Sequence, residues 1–130
     1  MSKKGLRDVI RSFYFELMSF RDKVYSMLEH YRSLKDRGYC SHVYLCREVL
    51  GVVLSHIDKA LNNFTTMDWI GYDLACRELT NAKYSVFDMM KLIASECGLE
   101  TQIKVSSICI SKVMEMLNNL CDKYCKGCLR

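Results

Sequence analysis

Leu6, Ile10, Phe13, Leu17, Phe20, Val24, Met27, Tyr31 and Leu34 follow one another at alternating steps of four and three residues. No polar residue interrupts the nine positions. Such steps average about 3.5 residues, close to one helical turn, so the side chains line a single seam of a long helix made to meet other helices. The chain contains no proline, and nothing of that kind breaks or kinks a helix anywhere along it.

Four helical patterns of this kind account for nearly the whole chain. The first runs from about Lys4 to Lys35, with Ser2 as a candidate cap, and stops at Asp36-Arg37-Gly38. The second follows Ser41, a good N-cap residue, and extends to Asn63 or Phe64 on the stripe Val43, Cys46, Leu50, Val53, Ile57, Ala60 and Phe64. After Thr65-Thr66, either Thr66 or Asp68 caps a third helix carrying Tyr72, Ala75, Leu79, Ala82, Val86, Met89, Ile93 and Cys97, closed by Gly98. Thr101 is the candidate cap of the fourth, with a seam of Ile103, Ile110, Val113, Leu117, Leu120 and Tyr124 that Ser106 interrupts.

Helices of similar length joined by short turns must fold back on their predecessors. The expected fold is all-α: an up-down-up-down antiparallel four-helix bundle, with residues 1–130 forming a single domain. This topology places the N-terminus, the 62–68 turn and the C-terminus at one end (the terminal end). The 36–41 and 98–102 turns lie at the other (the turn end). Cys40, Cys46, Cys97 and Cys109 belong toward the turn end, and Cys76, Cys121, Cys125 and Cys128 toward the terminal end.

Composition narrows the setting. Hydrophobic residues make up 50% and charged residues 26%, a globular balance that argues against disorder. No apolar stretch approaches the ~18 residues of a membrane span, and the basic start leads into an amphipathic pattern instead of a secretion signal. The expectation is therefore a soluble, cytoplasmic protein without a membrane partner. Eight cysteines are many for a reducing cytosol; hyperthermophile cytoplasm, where internal disulfides are common, is the known exception.

The charge excess of +4 sits on the first helix, where residues 1–37 hold nine Lys/Arg against five Asp/Glu. Lys3, Lys4, Arg7 and Arg11 share the terminal end with Lys123, Lys126 and Arg130. Together they form a candidate surface for nucleic acid or another polyanion, with Trp69 nearby as a stacking group. Asp8, Asp68, Asp73 and Asp122 dilute that field, and a solvated charged face explains it too.

Cys121, Cys125 and Cys128 lie on one helical flank, with Cys76 nearest by topology. Thiolates at such spacing ligate zinc or an iron–sulfur cluster, and they also form disulfides; both readings stand at this point. The run resembles the cluster-binding segment of radical S-adenosylmethionine enzymes over eight residues. Those enzymes surround it with a large α/β barrel, which 130 helical residues cannot supply.

No cofactor is called for elsewhere. A di-iron bundle needs Glu-x-x-His, and no glutamate here has a histidine three residues on. His30, His42 and His56 do not converge by spacing, and no Gly-rich phosphate loop or Gly-x-Ser-x-Gly elbow occurs. The pairs Arg47-Glu48 and Arg77-Glu78 fit either helical salt bridges or a groove for an anion. Tyr14, Phe15, Met18 and Tyr25 on the first helix, with Trp69, Tyr84 and Phe87 on the third, exceed what one bundle core accommodates. They are the candidate interface of a homodimer or a protein partner. The leading expectation is a non-catalytic interaction module.

Overall fold

The computed structural model describes residues 3–126, with the side chains of residues 3 and 4 outside the description. Among the described residues the chain is almost entirely helical and contains no strand; the main non-helical segments are the 34–41 loop and residues 67–68. Helix α1 spans Lys3–Ser33, α2 spans His42–Asn62 and α3 spans Trp69–Cys97. The fourth rod, α4, covers residues 99–124. It is α-helical over Leu99–Val105, a π-helix over Ser106–Ile110, and α-helical again over Ser111–Tyr124. Among the described residues no helix is long and apolar enough to cross a membrane.

Contacts between neighbouring rods run in reversed order. Arg21 meets Asp58 and Arg47 meets Tyr31 between α1 and α2; Tyr72 meets Tyr124 and Met90 meets Gln102 between α3 and α4. Ser12 meets Tyr124 and Tyr31 meets Ile108 between α1 and α4. Each of these pairs is therefore antiparallel. Helices α1 and α3 each pack chiefly on α2 and α4, which sets them at opposite corners.

The expected seams form the core. Phe13, Leu17, Phe20 and Val24 of α1 are buried with Leu50, Val53 and Ile57 of α2 and Ala75, Leu79, Ala82 and Val86 of α3. At the terminal end the ring of Phe13 stacks on Tyr124 at 4.7 Å between centroids, and the rings of Phe64 and Tyr72 meet it edge-on at 5.1 Å. Favourable aromatic geometry thus reinforces the apolar burial there.

Local chemistry sets the helix ends. Ser41 accepts from the Tyr44 amide at 3.1 Å and starts α2. Asp68, not Thr66, caps α3 by accepting from the Gly71 amide at 2.9 Å, and this bond holds its carboxyl below the usual range. Gly71 lies so close to the Asn63 carbonyl that a Cβ would collide with backbone. The second helix passes into a 3₁₀ turn over Asn63–Thr66, which carries Phe64 into the core. Helix α1 stops at Ser33, leaving Leu34 of the seam at the surface. Arg47 reaches back to its end, donating to the carbonyls of Tyr31 at 2.9 Å and Leu34 at 2.5 Å. A cation at the carbonyl end of a helix is favourably placed.

Two expectations for α4 are corrected. Gly98 alone separates α3 from α4, at a φ of 94° that side chains rarely adopt, so Thr101 lies inside the helix and caps nothing. Ile103 is 60% exposed, and Val105 and Cys109 take the core positions ahead of Ile110. The cause is the π-helix at Ser106–Ile110, which inserts an extra residue and rotates the apolar stripe. The break that Ser106 makes in the sequence pattern marks the start of that segment.

Candidate functional site

The sulfurs divide between the two ends as the topology requires, and they are joined. Cys40 pairs with Cys97 and Cys46 with Cys109 toward the turn end; Cys76 pairs with Cys125 at the terminal end. Cys121 is also disulfide-bonded, and no described cysteine is free. Of the two readings offered for these sulfurs, Cys76, Cys121 and Cys125 take the disulfide one in this structure. A sulfur held in a disulfide is not a thiolate ligand, and no group of three or more candidate ligands occurs among the described residues. Cys125 lies beyond the last turn of α4 and turns to α3, while Cys121 is buried in the core. Cys128, the third sulfur of the expected common face, lies outside the described residues.

The bonds link α4 to α2 and α3, and the 34–41 loop to the end of α3. They do not bridge α1 among the described residues. That helix is held instead by its core seam, by the Arg21–Asp58 pair at 2.8 Å, and by Lys123 of α4 donating to Glu16 at 2.8 Å. Both arginine side-chain hydrogen bonding and the nearby carboxylate keep the Arg21 guanidinium charged.

The basic residues are dispersed. Arg7 and Arg11 are exposed on the flank of α1 beside Thr66 and Met67. Lys123 stands across the opposite flank, paired with Glu16 and lying over the Tyr124 ring. Lys126 is exposed past the end of α4. Lys3 belongs to the first turn of α1, Lys4 follows it, and Arg130 lies outside the described residues.

The candidate interface residues also fall on separate surfaces. Tyr14 and Met18 are half-buried, with the Tyr14 ring against Phe64. Phe15 is 67% exposed, and Tyr25 is exposed beneath the Arg21 guanidinium. Phe87 is on α3, at the opposite corner of the bundle, so these residues do not make one continuous patch. On α3 the expected surplus of Trp69, Tyr84 and Phe87 is exposed, and Ile70 and Leu74 extend that apolar surface beyond what was expected.

A polar cluster not anticipated from spacing joins α2 to α3. His56 Nδ1 lies 2.5 Å from Glu78 Oε1, and its Nε2 lies 3.1 Å from Ser85 Oγ. Glu78 and Ser85 are seven residues apart on one face of α3, which is the one signal that could have linked them. The connectivity is that of a carboxylate–histidine–serine relay. Acyl transfer also needs free N–H donors for the oxyanion, and Ser85 sits mid-helix, where backbone amides bond to carbonyls one turn back. The arrangement therefore works as a half-buried clasp between two helices, satisfying three polar groups at once. Arg47, by capping α1, is likewise taken out of any anion groove.

Comparisons of the chain with protein-family models, with curated proteins and with solved structures found no match.

Proposed function

We propose that this chain is a non-catalytic, disulfide-stapled interaction module that pairs with a second copy of itself through the outward face of α3. The observation that carries this reading is the order of side chains on that face. Ile70 is 72% exposed and Tyr84 55%, with Leu74 beside them, although the bundle core is closed without any of the three. Asp73 and Arg77 occupy the first half of the face, and Asp88 and Lys91 the second. An antiparallel crossing centred between the exposed Asn81 and Tyr84 sets Asp73 against Lys91 of the second copy and Arg77 against its Asp88. Two-fold symmetry makes each pair twice, which is the self-complementarity an isologous interface requires.

The disulfides favour an oxidising setting for this module: either a compartment outside the reducing cytosol or the cytoplasm of a hyperthermophile. The cytoplasmic expectation holds within this proposal only in the second form.

Light scattering on the size-exclusion peak tests the pairing. At roughly 100 μM, ample for a micromolar dimer, a mass of twice 15.2 kDa is expected. Tyr84→Glu, at an exposed site that leaves folding intact, is expected to give the monomer. The Arg77→Glu variant should weaken the dimer, and adding Asp88→Arg should restore it. A wild-type monomer at this concentration, or a dimer indifferent to all three changes, contradicts the reading.

A further inference from the structure

At the turn end the seam between α2 and α3 opens into a cleft of about 200 Å³. Leu45, Met89 and Ile93 give it an apolar lining. Tyr39 and Tyr44 stand over it, their ring centroids 5.7 Å apart and their planes tilted by 42°. Glu48 and Glu96 complete the wall. No basic residue lines the cleft, and the adjacent Arg47 is turned away to the end of α1 and to Asp36. In a chain of net charge +4, this is a pocket with two carboxylates and no countercharge among its lining residues.

We infer that this cleft binds a small organic cation with an apolar body, of the class of quaternary or highly alkylated amines. Aromatic faces attract such a cation through the ring quadrupole, and a carboxylate at the rim adds charge complementarity without demanding a hydrogen bond from the ligand. The apolar lining suits the methyl groups, which a hydrated metal ion does not have. A hard cation such as calcium takes six or more oxygens, and this wall offers two carboxylates in an otherwise apolar setting. The cleft is smaller than the usual range for drug-sized molecules, which limits the ligand to a compact one.

The site is held in shape before any ligand arrives. The Tyr39 hydroxyl donates to Glu96, and Tyr44 and Glu48 stand in the same wall. The neighbouring Glu96 and Glu48 carboxylates push the Tyr39 and Tyr44 phenols above the ordinary tyrosine range, and phenols are in any case neutral π-donors at neutral pH. Each carboxylate retains further lone pairs for a cation. Tyr39 precedes Cys40, whose disulfide to Cys97 fastens that loop to the wall of the same cleft. Preorganisation of this kind lowers the cost of ordering the site on binding.

Titration of the full chain with choline, followed by amide chemical shifts, tests the assignment. Saturable shifts at residues 39–48 and 89–97 are expected, with 3,3-dimethylbutanol, the neutral isostere of choline, binding at least about tenfold more weakly. The exposed position of Tyr39 makes Tyr39→Ala compatible with folding, and it should weaken choline roughly five- to thirtyfold. Glu96→Gln, which keeps the shape of the wall, should weaken it several-fold while leaving the neutral isostere unchanged. Absence of shifts up to about 20 mM choline would overturn the assignment. So would equal affinity for the neutral isostere, which would make the cleft merely apolar, or choline binding unaffected by both substitutions.

Discussion

Replacing Cys46 and Cys109 together by alanine is expected to destabilise the fold by about 2–4 kcal/mol, lowering the melting temperature by roughly 10–15 °C. The two sulfurs are fully buried and lie 63 residues apart in sequence. With Cys40–Cys97 still closed, the shortest loop this bond completes runs through that disulfide over about 20 residues, and closing it removes about 3 kcal/mol of conformational freedom from the unfolded chain. The bond also crosses the core from α2 to the π-segment of α4, where the helix departs from its regular hydrogen bonding. Removing it therefore releases the part of α4 whose phase is least regular. Denaturant titration of the double variant under oxidising conditions provides the check, and a loss below about 0.5 kcal/mol would show that packing alone fixes this contact.

Phe13→Ala carries a comparable or larger expected cost, about 3–5 kcal/mol. Phe13 is fully buried, stacks on Tyr124 and receives the edges of Phe64 and Tyr72. One truncation therefore removes apolar burial and three ring contacts, and leaves a cavity between α1, the 3₁₀ turn, α3 and α4. Because no described disulfide bridges α1, the neighbouring bonds cannot compensate by holding that helix in place. The same denaturant titration should show a lower midpoint with an unchanged slope. A change under about 1 kcal/mol would mean that the terminal-end aromatic cluster is not a tightly packed core.

The parts of this fold that could be read from sequence are those with a period. The α1 seam from Ile10 to Val24 is buried as its spacing requires, and so are the α2 and α3 stripes at Leu50, Ile57, Leu79 and Val86. Asp68 was legible as one of two candidate caps because its side chain can accept the first free amides of α3. The break at Ser106 was visible, yet its consequence was not. A period-based reading carried Ile103 into the core because it could not foresee that a π-turn would shift the phase.

Contacts between helices were harder to read. Connectivity assigned each cysteine to an end of the bundle, but which sulfurs meet depends on interaxial geometry that spacing does not contain. His56, Glu78 and Ser85 are separated in the same way: two share a helical face, and the third arrives from α2. Tyr39 is in a non-helical loop without periodicity, so its place over the α2–α3 cleft could not be inferred. The scatter of the interface candidates has a similar origin. Surplus aromatic residues can be counted from sequence, but it is the ring order of four rods that puts Phe15 and Phe87 at opposite corners.

Proteolysis of the unreduced, alkylated protein followed by mass spectrometry of the linked peptides tests the antiparallel arrangement most directly. Peptides joining Cys40 to Cys97, Cys46 to Cys109 and Cys76 to Cys125 are expected, with none of the six alkylated. A bond joining the two ends, such as Cys46 to Cys76, would contradict it, and recovery of these six residues as alkylated thiols would contradict the stapling.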